Sequence, residues 1–237
     1  MPLILEGIFM NPQIALYTYL GVLFLAFIIS AKFRSKVQVA YLKTTTFFLL
    51  LTVLVEIVGY VFSSKGMKIY NHLLFNNFFC IEFCFYLWII SRIVSNTRLK
   101  KLILIINVLF TISFIINNIW GQGKGLGFPS ISYAVGSILI IFGGLVYFYE
   151  LFQKVNDIPL FQQPAFWVCS AIIFYYTATF PVFGLVNFLG AYPRIIRNNI
   201  AIFIDVLNIF LYSLLSIAFV CQSIIRKSSQ SLSLAVS

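Results

Sequence analysis

Three carboxylic acids lie where an ionised group is least favoured. Glu56, Glu82 and Asp205, half of the six acids in the chain, sit inside long apolar runs. An ionisable side chain in such a run marks either a polar interface inside a helix bundle or a functional site. No Lys or Arg lies deep within any of these runs, so none of the three has a cationic partner at its own depth. Three chemistries fit such acids. They can be protonated and hydrogen-bonded to Asn, Tyr and Thr; they can hold a proton or sodium ion that is exchanged; or they can recognise a cationic ligand.

Helical spacing gathers polar residues around them. At about 100° per residue, one stripe holds Thr45, Thr52, Glu56, Gly59 and Ser63, and a second holds His72, Phe79, Glu82 and Tyr86. Asn107, Thr111 and Asn118 form a third stripe, and Tyr176, Phe183 and Asn187 a fourth, with Pro181 kinking its helix. The last holds Asn198, Asp205, Asn208, Tyr212 and Ser216. Two readings stand. The stripes are interhelical hydrogen-bond glue, at about 0.6 kcal/mol per contact. Alternatively they line a pocket formed by Glu56, His72, Glu82, Tyr86, Tyr176, Asn187, Asp205, Asn208 and Tyr212, with Glu82 and Asp205 at its centre and His72 able to titrate with them.

The elements that position these residues follow from composition. Of 237 residues, 61% are hydrophobic and 9% charged, where a soluble domain carries about a quarter charged residues. That excludes a soluble enzyme, a nucleic-acid binder and a disordered chain. Seven apolar runs reach the roughly 20 residues that cross a bilayer, at about 14–30, 41–62, 71–91, 102–119, 131–151, 164–189 and 199–224. The expected fold is therefore all-α, a single polytopic domain built as a seven-helix transmembrane bundle. Residues 226–237 form a short polar tail, expected to be unstructured.

Basic residues orient the bundle. The first, third and fifth loops and the tail hold eleven of them: Lys32, Arg34, Lys36, Lys43, Arg92, Arg98, Lys100, Lys101, Lys154, Arg226 and Lys227. The opposite side holds five: Lys65, Lys68, Lys124, Arg194 and Arg197. The excess of Lys and Arg on cytoplasmic loops places the N-terminus outside and the C-terminus in the cytoplasm. The net charge of +10 is then a topology signal. Glu56 and Asp205 lie about 10 Å below the outer ends of their spans, and Glu82 is near the midplane. With Lys32 as the first basic residue, the positive region of a cleavable signal peptide is missing, and no lipidation signal is read at either end.

Other chemistry is poorly supported. Cys80, Cys84, Cys169 and Cys221 all lie in apolar runs and read as packing thiols, not a disulfide framework or metal site. GQGKGLG at 121–127 lacks the strand and the Lys-Ser/Thr pair of a phosphate-binding loop. Ser132, Gly136, Gly143 and Gly144 predict close helix packing. A retinal protein needs a lysine in the last span, and seven-span zinc hydrolases and haem cytochromes need several histidines. This chain has no such lysine and one His. No catalytic residues, metal or cofactor are therefore assigned.

Two stretches carry a resemblance. QPAFWVCSAIIFYYTATFPVFGLVN (163–187) and IFIDVLNIFLYSLLSIAFVCQ (202–222) resemble the last two spans of small seven-span proteins of Bacteroidetes, through the FW, the central YY and the NIxLY segment. Such proteins are often encoded beside sensor histidine kinases. The resemblance implies a multi-pass protein of a bacterial inner membrane with a sensory or accessory role and a signalling partner such as a histidine kinase. It assigns no activity residue by residue. The expected function is accordingly a non-enzymatic sensory or accessory module with an outward-facing polar pocket. A small proton- or cation-coupled transporter is the alternative, and a carboxylate-based intramembrane enzyme is the third reading.

Overall fold

The computed structural model describes residues 11–121, 127–153, 159–185 and 194–236. These form seven α-helices: α1 (Pro12–Phe33), α2 (Ala40–Ser64), α3 (Lys68–Ile93), α4 (Thr97–Trp120), α5 (Ser130–Gln153), α6 (Pro164–Leu185) and α7 (Arg194–Val236). One 3₁₀ turn, Leu160–Gln162, precedes α6. All seven helices are long and apolar enough to span a membrane.

The helix ends carry ordinary stop and start chemistry. Asn11 caps α1 by accepting from the Gln13 amide at 2.9 Å, with Pro12 at the first helical position. Asn96 caps α4 through the amides of Arg98 and Leu99. Between α2 and α3, Gly66 has φ +69°. There Met67 N–H donates to Phe62 and Gly66 N–H to Ser63, the paired bonds of a Schellman turn. Glu150 on α5 accepts from the amides of Ser95 and Asn96 at 2.7 and 3.0 Å. An acid is thereby placed at the start of α4, where the helix dipole favours it.

Six helices close a ring in the order α1, α2, α3, α5, α6, α7, with α1 packed most extensively on α7. The ring is narrow enough for α3 to touch α6 across it. α4 lies outside, against α3 and α5, and is the least buried span. α1 turns Ala15, Tyr19, Leu23, Ala26 and Ser30 inward, the helical spacing of a buried stripe. The periphery exposes large apolar side chains such as Phe24, Ile57, Val108, Phe142 and Phe174, as a lipid-facing surface requires.

Small residues set the spacing around α5. A Cβ on Gly136 would lie 2.7 Å from ring atoms of Phe83 and Phe110, and one on Gly144 would lie 2.6 Å from Ile173. Gly143 faces Ile90. The glycines expected to permit close packing therefore do so, against α3 and α4 on one side and α6 on the other.

The polar tail differs from expectation. α7 continues as helix through 226–236 to a total of 43 residues. At 1.5 Å per residue that is about 65 Å, roughly twice the hydrocarbon thickness. Only Asn198–Ile224 forms its apolar span. Ser, Gln, Leu and Lys, which dominate the tail, do not interrupt a helix already nucleated upstream.

Basic side chains separate towards two faces of the bundle. The C-side face, where α1 and α3 end and α2 and α4 begin, carries exposed Lys32, Arg34, Lys43, Arg92, Arg98 and Lys101. Two of them lie over aromatic rings, Arg34 over Phe47 at 4.0 Å and Arg92 over Trp88 at 5.3 Å. Exposed Lys65 and Lys68 lie on the opposite, N-side face.

Candidate functional site

Glu82 occupies the middle of α3 and is 6% exposed. Around it the ring turns inward a set of tyrosines from three other helices and its own. Tyr86 lies one turn along α3, Tyr133 comes from α5, Tyr175 and Tyr176 from α6, and Tyr212 from α7. The carboxyl of Glu82 lies within electrostatic reach of the hydroxyls of all five. Their rings interlock: Tyr86 meets Tyr176 edge-on at 5.8 Å, and Phe83 lies 5.2 Å from Tyr176. Tyr133 donates to Thr179 at 2.9 Å, and Thr179 donates onward to its own helix. The Tyr176 hydroxyl faces the Glu82 carboxyl closely, whereas the buried Tyr86 hydroxyl closes no hydrogen bond among the described residues. A buried unpaired hydroxyl is uncommon and calls for a reason.

A second acid joins the cluster through α1. The Tyr19 hydroxyl donates to Glu56 Oε1 at 2.7 Å, and the Tyr19 ring stacks on Tyr212 with centroids 6.1 Å apart. Glu56 lies within electrostatic reach of both Glu82 and Asp205. The three acids therefore share one region of the bundle instead of pointing into separate helix interfaces. None of them pairs with a Lys or Arg among the described residues. Glu56 and Asp205 are half-buried, as is Asn208 one turn from Asp205.

Not every residue expected at the site is there. His72 is exposed on the N-side turn of α3, ten residues or about 15 Å along the helix from Glu82. Asn187 lies outside the described residues. Conversely, Tyr19, Tyr133 and Tyr175 belong to the cluster without having been singled out by sequence. The signal for Tyr19 was its place in the Ala15–Tyr19–Leu23–Ala26 stripe, which reads as plain packing unless a partner on α2 is known.

Other polar stripes act as glue. Asn107 of α4 donates to the Cys84 carbonyl at 3.0 Å, and Cys84 Sγ meets Thr111 Oγ1 at 2.9 Å. Asn117 donates to Ser132 at 2.8 Å and Asn118 reaches Asn77 at 3.5 Å. The third stripe thus fastens the outlying helix to α3, and Asn117, outside that stripe, fastens it to α5. On α2, Thr45 and Thr52 bond their own backbone. Cys221 donates to the Gln162 carbonyl at 2.8 Å, and all four cysteines are free thiols.

The cluster is bounded on both faces. Towards the C-side face Leu42, Leu49, Ile90, Ile172, Leu211 and Leu215 are all essentially buried, and the hydroxyls of Tyr41, Thr45, Thr46 and Tyr147 are buried in the same half of the bundle. Towards the N-side face the rings of Phe79, Phe128, Tyr133 and Phe183 pack together, with centroids 4.8 to 6.0 Å apart. A groove reaches the acids from the side. It runs between α1 and α2, has a volume of about 410 Å³, and has Glu56 in its wall.

Among the described residues no three His, Cys, Asp or Glu side chains are grouped to hold a metal ion. No protein-family model, curated protein or solved structure matches the chain.

Proposed function

We propose that the protein is a non-enzymatic sensory or accessory module of a bacterial inner membrane, in which the carboxylate–tyrosine cluster binds a ligand or proton and the bound state alters helix packing. The observation that carries this reading is the convergence on Glu82 of buried tyrosines from α3, α5, α6 and α7. A binding event can shift the ring, because Tyr19, Tyr86, Tyr176 and Tyr212 bring α1, α3, α6 and α7 to one place. Beyond the cluster on its C-side no acid is buried among the described residues, the buried polar groups there being hydroxyls and a thiol, and in lipid a charge without strong polar partners is disfavoured.

The orientation belongs to the same reading. The more basic C-side face is cytoplasmic by the positive-inside rule, so the N-terminus is outside and the cluster occupies the middle and outer half of the membrane. A signalling partner, a histidine kinase by the resemblance of α6 and α7, would then meet the basic cytoplasmic face. No catalytic role is assigned to Glu82.

A small proton- or cation-coupled transporter is the second reading, favoured by the mutual proximity of Glu56, Glu82 and Asp205. Proteoliposomes separate the two. With an imposed proton or sodium gradient and a trapped indicator dye, the sensory reading expects flux no greater than in protein-free vesicles. Flux abolished by Glu82→Gln would replace it with the transporter.

A further inference from the structure

The groove between α1 and α2 differs from an ordinary lipid-facing crevice in one respect. Its wall is formed by Tyr17, Leu20, Phe24, Val53 and Tyr60, and into this apolar and aromatic surface projects a single carboxylate, Glu56. At about 410 Å³ it falls within the range of small-molecule sites. One carboxylate oxygen, Oε1, is taken by Tyr19 at 2.7 Å. The other accepts no hydrogen bond among the described residues. Asp205 adds negative potential nearby.

Charge, shape and solvent together select the occupant. An acyl chain alone would fill the groove but leave the free oxygen of Glu56 without a donor. An inorganic cation would satisfy the acid but leave the aliphatic wall unused, and would reach it only through lipid. We infer that the groove binds an amphiphilic organic cation, a protonated amine on a hydrocarbon body, that enters from the membrane. Its ammonium N–H groups would donate to the free oxygen of Glu56, a charge-assisted hydrogen bond. The exposed rings of Tyr17 and Tyr60 give the cation aromatic faces, and Leu20, Phe24 and Val53 take the chain.

Such a ligand would be sensed. Glu56 is held by Tyr19, and Tyr19 stacks on Tyr212, whose hydroxyl is within reach of Glu82. An amine competing for the carboxylate therefore acts directly on the seam between α1 and α7. The inference rests on reading the carboxylate cluster as a ligand site, and it names the ligand's class and its lateral route.

The test uses the full chain in lipid nanodiscs with radiolabelled dodecylamine, binding being corrected for empty nanodiscs, and with dodecanol and dodecyl sulfate as competitors. Saturable dodecylamine binding is expected, with dodecanol and dodecyl sulfate displacing it at least about tenfold less effectively than unlabelled amine, the scale of one charge-assisted hydrogen bond. Glu56→Gln should weaken binding by about tenfold or more. Leu20→Trp, which fills the groove and keeps the acid, should weaken it similarly and guards against a misfolded charge variant. Equal competition by dodecanol would reduce the groove to a lipid crevice, and undiminished binding in folded Glu56→Gln or Leu20→Trp protein would place the amine elsewhere. Either result overturns the inference and leaves the sensory reading standing, whereas ion flux in proteoliposomes removes that reading whatever the groove binds.

Discussion

Tyr19 and Glu56 are joined by a 2.7 Å hydrogen bond across the seam between α1 and α2. The bond links a buried ring of α1 to a half-buried acid of α2, and the same ring stacks on Tyr212 of α7. One side chain thereby couples three helices. Tyr19→Phe removes the donor and keeps the ring; Glu56→Gln keeps an acceptor and removes the charge. A double-mutant cycle in unfolding free energy, measured by denaturing detergent titration, should give a coupling of about 0.5–1.5 kcal/mol. Strict additivity would mean that the charge of Glu56 adds nothing to the bond.

Gly136 offers a steric test. Its missing Cβ is where ring atoms of Phe83 and Phe110 lie 2.7 Å away, whereas a Cβ on Gly21 would meet nothing within 4 Å. Gly136→Ala should destabilise the bundle by about 1–3 kcal/mol through overpacking. Gly21→Ala should be neutral or stabilise by up to about 1 kcal/mol through helix propensity. The comparison is read by thermal unfolding of both variants in one detergent, and equal melting temperatures would contradict the packing described around α5.

Glu150 holds the start of α4 through two backbone amides. Glu150→Gln leaves one acceptor oxygen and no charge at the helix N-terminus. A loss of about 1 kcal/mol is expected, together with faster hydrogen exchange at the Ser95 and Asn96 amides. Unchanged protection of those two amides would show that the carboxylate is dispensable there.

Polar contacts fasten α4 alongside the buried rings of Phe110 and Phe114. Asn107→Val removes the donor to the Cys84 carbonyl, at a cost of about 0.6 kcal/mol for an interhelical bond in lipid. Because Cys84 lies in that same interface, its modification by a small lipid-soluble maleimide should accelerate, while that of Cys169 inside the ring should not. If both thiols respond alike, the change is global and α4 is not a separately held element.

The helices were legible because lipid imposes one rule on long apolar runs, and Thr97, Arg98, Lys100 and Lys101 merely extend α4 beyond the strictly apolar segment. Glu82 stood out for the same reason: an acid among Ile, Phe and Cys has few structural explanations. What could not be read was which stripes meet. Asn107 and Thr111 look as much like a site as Tyr86 and Tyr176, and only the place of α4 outside the ring makes them fasteners. His72 shares a helical face with Glu82, but angular position says nothing about depth, and it lies at the exposed end. Tyr19 was hidden because its partner is 37 residues away on another helix, and periodicity carries no information across helices.

Closing the ring with the first and last helices also orders its assembly. The Tyr19–Glu56 bond needs only the first two spans and can form while the chain is still being made. The inward stripe of α1, by contrast, finds its main neighbour in α7, which is synthesised after the other six. Until then Ala15, Leu23 and Ala26 face lipid or a chaperone, and the rings of Tyr19 and Tyr212 remain apart. Long-range closure of this kind is a late step. A chain truncated before α7 would insert its hydrophobic segments yet leave the cluster around Glu82 open on one flank, which makes the completed ring a natural point of quality control.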